Sequence, residues 1–121
     1  MEGPLKFDVL YNLGNSFYQL EKVEKAIDAY TKALTIKERP FCHFNIAVAY
    51  SDLGQLDKAV EHYQEAINMD EAFVDAYISL IKILVKLNRK EDAMQVYAAL
   101  LEQDPDNVEA RVEYERFKEL L

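Results

Sequence analysis

The sequence predicts an all-α fold. Apolar residues recur at spacings of three and four along almost the whole chain, and no segment sustains the period-two alternation of a half-buried strand. The chain also repeats itself at intervals of 33 and 34 residues, marked by Ala26, Ala59 and Ala93. Around them fall Leu13, Ile46 and Leu80, then Gly14, Ala47 and Ile81, then Phe17, Tyr50 and Leu84, and Tyr30, Tyr63 and Tyr97. Breaks near residues 20–24, 37–40, 52–56, 70–72, 87–90 and 103–107 leave seven helices of about 12 to 16 residues. The turns are short, so consecutive helices are antiparallel neighbours. The expected organisation is a single domain, 1–121, of three helical hairpins (7–39, 40–73 and 74–107) followed by a helix over 108–121.

Each element has its own warrant. In the first helix Leu10, Leu13, Gly14 and Phe17 make one apolar stripe. The second repeats Ala26, Tyr30 and Ala33, and the third carries Ile46, Ala47 and Tyr50 and ends at Gly54, a residue free to take positive φ. Ala59 on the fourth helix meets Ala47 at a close crossing, where a small residue lets a large side chain of the other helix enter, while Tyr50 and Tyr63 fill the space beside it. The fifth and sixth helices repeat the pattern with Leu80, Leu84, Ala93, Tyr97 and Leu100. In the last helix Asp106 and Glu109 suit a capping box, and Ala110, Tyr114, Phe117 and Leu121 form an apolar stripe opposite wetted charges. Such a polar outer face ends a stack of repeats without aggregation.

Composition narrows the function classes. Fourteen Lys and Arg stand against 22 Asp and Glu, a formal net charge of -8, which repels nucleic-acid phosphates and anionic membrane surfaces. The single cysteine, Cys42, leaves no internal disulfide and fits a reducing, cytoplasmic compartment. No basic start followed by an apolar run, and no apolar stretch approaching 18 residues, points to export or membrane insertion. Cys42 and His43 are adjacent and so diverge by about 100 degrees around a helix, which argues for a packed histidine rather than a nucleophile pair. His62 with Glu65 reads as a surface pair, since no second ligand set completes a metal site. No phosphate-binding glycine loop or calcium loop is present, so no cofactor or metal is implied and catalysis is not expected.

The period and the segments "LGNSF…AIDAYTKAL", "IAVAY…LGQLDKAVEHYQEAI" and "LIKIL…EDAMQVYAALLEQDP" resemble the tetratricopeptide repeat family over about residues 7–107. The family pattern reads roughly L-G-x-x-Y, G, A-x-x-x-Y/F-x-x-A, then P. Departures are local: Glu21 and Asn88 replace the turn glycine kept at Gly54, Ile81 replaces a small residue, and Glu38 and Glu71 stand where Pro105 fits. Asn tolerates a left-handed turn better than Glu, so a differently shaped first turn is expected.

The resemblance implies an α-solenoid, a right-handed superhelix whose first helices line a concave groove for a peptide or helix of a partner protein. On the face opposite the first stripe lie Tyr11, Asn12, Asn15 and Tyr18, then Phe44, Asn45 and Val48, then Ile78, Ser79 and Lys82. Apolar groups repeated on a nominal solvent face mark a binding site, which makes these ten residues the candidate partner-binding set. Asn12 and Asn45 resemble the asparagine ladder of the O-linked N-acetylglucosamine transferase repeats, with Ser79 at the third rung. In the chaperone-tail branch of the family a terminal carboxylate is clamped by lysines, asparagines and an arginine. Asn15 and Asn45 match that set, but Tyr11, Asp75 and Ser79 occupy its basic positions.

The expected function is a non-catalytic protein-interaction module, an adaptor or scaffold or a co-chaperone-like domain, that binds a peptide or helix of a partner protein in the concave groove, with a monomer favoured over an oligomer. A second reading is a structural module stacking on another copy through the first hairpin's edge, including Leu5 and Phe7. The regular repeats also fit an engineered or excised array.

Overall fold

The computed structural model describes residues 6–120, which form seven helices and no strand among the described residues. They are α1 (Phe7–Gln19), α2 (Val23–Ile36), α3 (Pro40–Asp52), α4 (Leu56–Met69), α5 (Val74–Lys86), α6 (Lys90–Gln103) and α7 (Val108–Leu120). Each packs mainly on its neighbours in sequence, so the helices form a continuous row of antiparallel hairpins ended by α7. The fold is the all-α helical repeat that the sequence predicts.

Small residues set the helix crossings. Ala47 and Ala59 are wholly buried in one cluster with Tyr63, Leu80 and Leu84. At Gly14 a Cβ would come within 2.6 Å of the Tyr30 ring, so the missing side chain is what lets that buried ring lie against α1. The third hairpin breaks the rule. Ile81 stands where Gly14 and Ala47 stand, and Leu100 where Ala33 and Ala66 stand. Both side chains are buried, α5 and α6 approach each other less closely than the first two pairs, and Tyr97 stays half-buried where Tyr30 and Tyr63 are enclosed.

The turns inside the hairpins correct one expectation. Glu21, Gly54 and Asn88 all adopt left-handed backbone, at φ 63°, 75° and 59°. The same pair of backbone bonds follows each helix, from Glu21 N–H to Tyr18 and Lys22 N–H to Phe17, and likewise to Ser51 and Tyr50, and to Val85 and Leu84. The first turn is therefore not differently shaped, because the two hydrogen bonds of this helix ending outweigh the Cβ penalty at Glu21. Glu21→Gly is expected to raise stability by about 0.5 to 1 kcal/mol in urea unfolding, while Gly54→Glu lowers it by a similar amount.

Helix α7 is capped differently from expectation. Asn107 Oδ1 accepts the Ala110 N–H at 2.9 Å, and Asn107 Nδ2 donates to Asp104 at 3.2 Å, so the cap is Asn107 and the Asp106–Glu109 box does not form. Ala110 is buried against Tyr77, Ile81 and Leu100, and Tyr114 and Phe117 are half-buried, while Leu121 lies outside the described residues.

The end of the row at α1 is less covered. Val9 and Leu13 are 52% and 43% exposed, whereas their repeat equivalents Cys42, Ile46, Ala76 and Leu80 are at most 1% exposed. Equivalent positions on α3 and α5 bury against α2 and α4, and no described helix occupies that place for α1. Leu13 thus leaves the buried stripe assigned to it. Phe7, read as an edge residue, is buried and stacks on Tyr11 at 5.7 Å, and Leu5 lies outside the described residues.

Candidate partner-binding face

The first helices present one side of α1, α3 and α5 in a row, and the candidate residues fall along it. Tyr11 is half-buried, edge-on to Phe41 with ring centroids 4.9 Å apart. Phe44 is half-buried, stacked on Phe73 at 5.0 Å and edge-on to Tyr63 at 5.5 Å. Asn12, Ile78 and Lys82 are exposed, and Val48 and Ser79 half-buried. Tyr11 therefore packs between the first helices α1 and α3, and Phe44 against α4 and the entry to α5, while both keep part of their surface open.

A hydrogen-bond network occupies the α1–α3 end. Asn45 Nδ2 donates to the Tyr11 hydroxyl at 2.8 Å and to Asn15 Oδ1 at 3.5 Å, and the Tyr30 hydroxyl donates to the same Asn15 oxygen at 2.5 Å. The Tyr18 hydroxyl donates to the Asp52 carboxylate. That bond, aided by burial, pushes the Tyr18 phenol up to about 12, and burial does the same for Tyr30. Both phenols stay neutral donors at any ordinary pH. Asn12 and Asn45 are in register, but Asn45 has turned its N–H groups inward, since a half-buried amide needs internal partners. Only its oxygen remains for a peptide, so the two-pronged ladder is not preformed.

Two hollows open on this face. One, of about 290 Å³, is lined by Asn15, Tyr18, Gln19, Tyr30, Asn45 and Val48. The other, of about 250 Å³, lies between α5, α6 and α7, where Ile78, Ile81, Leu100 and Ala110 supply apolar walls and Lys82, Glu109 and Glu113 charged ones. Among the residues lining the second hollow, Glu109 and Glu113 of α7 lie outside the candidate set. Their signal is weak in sequence: polar residues on a last helix look like a solvated face, and only the separation of α5 from α6 turns them toward a cavity.

The buried polar groups elsewhere serve packing. Cys42 is fully buried, its thiol donates to the Tyr30 carbonyl at 3.5 Å, and burial pushes it up to about 12, which removes thiolate chemistry. His43 turns away from it, with Nε2 2.6 Å from Glu38 and Nδ1 3.1 Å from His62 Nδ1. In the tautomer that carries its proton on Nε2, His43 donates to Glu38 and accepts at Nδ1 from His62. The expected His62–Glu65 surface pair is thus replaced by a bond across the α3–α4 hairpin, because His62 is half-buried and stacked between His43 and Tyr50.

Burial, and then repulsion from the His43 imidazole when it is protonated, hold His62 below its ordinary value of 6.5, against the opposing pull of Glu61, Glu65 and Glu38. The unfolded chain then binds more protons than the folded one just below pH 6.5, so stability falls as pH drops through that value. Urea midpoints measured from pH 7 downward are expected to decline, and His62→Gln is expected to flatten the decline.

Known proteins share this row of hairpins. A family model described as tetratricopeptide repeat matches residues 50–113, and a second of the same description matches residues 7–39. The chain belongs to the tetratricopeptide repeat family. Among its relatives, a small glutamine-rich tetratricopeptide repeat-containing protein 2 of Mycosarcoma maydis is 33% identical over 95 residues, which are 78% of this chain and 27% of that protein. RNA polymerase II-associated protein 3 of Rattus norvegicus is 31% identical over 114 residues, 93% of this chain and 17% of that protein. The tetratricopeptide chain thus spans about a quarter or less of these relatives. A solved structure of the first such domain of Spaghetti (RPAP3), bound to the HSP90 peptide SRMEEVD, superposes with a TM-score of 0.76 at 28% identity, covering 95% of this chain and 94% of that one. No helix among the described residues is long and apolar enough to cross a membrane.

Proposed function

We propose that this chain is a protein-interaction module that holds a peptide or helix of a partner protein on the face of α1, α3 and α5, with no chemistry of its own. The carrying observation is the row of apolar and amide groups along that face, from Tyr11 and Asn12 through Phe44 and Val48 to Ile78, flanked by two hollows. The peptide bound by the RPAP3 domain supports the class of ligand. Selection from a random displayed peptide library tests the reading. Peptides enriched on this protein should bind at least tenfold more weakly to Val48→Arg and Ile78→Arg variants, and should tolerate Glu65→Arg on α4. Enrichment that ignores the first two variants would place the binding surface elsewhere.

The acidic peptide SRMEEVD itself is not expected to bind. The positions that would have to supply cations are Tyr11, whose hydroxyl is engaged by Asn45, the exposed Asp75, and Ser79. Titration calorimetry should show no binding at micromolar concentrations, and micromolar affinity would contradict the assignment.

The exposed Val9 and Leu13 favour a second reading, stacking through the first hairpin on another copy. Light scattering across a concentration series decides it, since a monomer throughout would exclude self-assembly.

A further inference from the structure

The hollow between α5, α6 and α7 differs in chemistry from its counterpart at the other end of the face. It exists because Ile81 and Leu100 replace the small residues of the first two hairpins and keep α5 and α6 apart. Ile78, Ile81, Leu100 and Ala110 give it an apolar floor, and Glu109 and Glu113 stand one turn apart on one side of α7. Lys82 is the single cation in the lining and makes no ion pair among the described residues. Glu113 reaches Arg116 at 3.4 Å, a pair exposed enough to exchange partners at little cost. The phenol of Tyr97 is held above its ordinary value by burial and then by the charges of Glu113 and Glu109, so the negative field of both carboxylates enters the hollow.

Resting on the reading of this face as a peptide-binding surface, we propose that the hollow anchors one lysine or arginine side chain of the bound peptide. Its methylene stem lies along Ile78, Ile81 and Leu100, and its cationic head sits between Glu109 and Glu113. At about 250 Å³ the space falls below the roughly 300 to 1,000 Å³ of pockets that enclose whole small-molecule ligands, and it suits a single long side chain. A purely apolar occupant would desolvate two carboxylates without pairing them, and an acidic one would add a third like charge. The net charge of -8 draws a cationic segment toward the protein from a distance. The preferred partner segment is therefore basic and apolar together, with at least one Lys or Arg beside aliphatic or aromatic residues.

The displayed-peptide selection also tests this, run on the wild-type chain, on a Glu109→Gln, Glu113→Gln double variant, and on a Glu61→Gln, Glu65→Gln double variant that loses the same charge from α4. Wild-type and α4-variant selections are expected to enrich Lys or Arg next to apolar residues. The α7 variant is expected to lose that preference and to bind the best wild-type peptide about tenfold more weakly, with unchanged thermal unfolding. Binding should also weaken as ionic strength rises. Enriched peptides that are acidic or uncharged, or an equal loss in both double variants, would overturn the anchor while leaving the face as a binding surface. No enrichment on any of the three would remove the peptide-binding reading, and the anchor with it.

Discussion

Leu80→Ala is expected to cost about 2 to 5 kcal/mol in equilibrium unfolding and Ile46→Ala a comparable amount, whereas Leu13→Ala costs about 1 kcal/mol or less. The three side chains hold one position of the repeat, so a purely sequence-based view would rank them alike. Leu80 and Ile46 are 1% and 0% exposed because α4 and α2 cover them, and removing either leaves a cavity that rigid helices cannot close. Leu13 is 43% exposed and leaves only a dent that water fills. Urea midpoints followed by circular dichroism check the ranking. Equal losses at all three sites would mean that the outer side of α1 is covered in solution, by another copy or another segment.

The second large effect is expected from overpacking. Ala59→Leu should destabilise the chain by about 1 to 3 kcal/mol, against no more than about 0.5 for Lys58→Ala beside it. Ala59 is wholly buried where α4 crosses α3 at Ala47, with Tyr63 and Leu84 filling the surrounding space. A leucine there must either push α4 off α3 or force neighbours out of their rotamers. Lys58 is exposed, with its ammonium 5.4 Å from the centre of the Tyr50 ring, a contact worth little in water. Equal midpoints for the two variants would show that the α3–α4 crossing lies elsewhere.

Several features were legible because their causes are local. The helix boundaries follow from breaks in a 3.6-residue pattern, and Gly54 ends α3 with the left-handed geometry its lack of Cβ favours. Glu21 shows the limit of that logic, since its intrinsic preference predicts a different turn and the hydrogen bonds closing the helix override it. Likewise Asp106 with Glu109 fits a capping box as a string, yet the chain enters α7 one residue later and Asn107 takes the cap. Offsets of one residue at a helix start depend on how the preceding helix delivers the chain.

The sequence by itself determined that this is a three-hairpin helical repeat, because periodicity and self-similarity assign each residue to a buried or an outward side whatever the helices then do. It also placed Tyr11, Phe44 and Ile78 on one outward side at repeat intervals. Only the tertiary structure decided who meets whom: across that side Asn45 with Tyr11 and Asn15 and Tyr18 with Asp52, and inside the α3–α4 hairpin His43 with His62. It alone showed that Leu13 is only partly covered and that α5 and α6 stand apart over a hollow edged by Glu109 and Glu113. The physical reason is one of range. The side of a helix on which a residue lies is set by the turn of about 100° per residue, whereas a contact between helices depends on their separation and crossing angle, which the packing of many distant side chains fixes together.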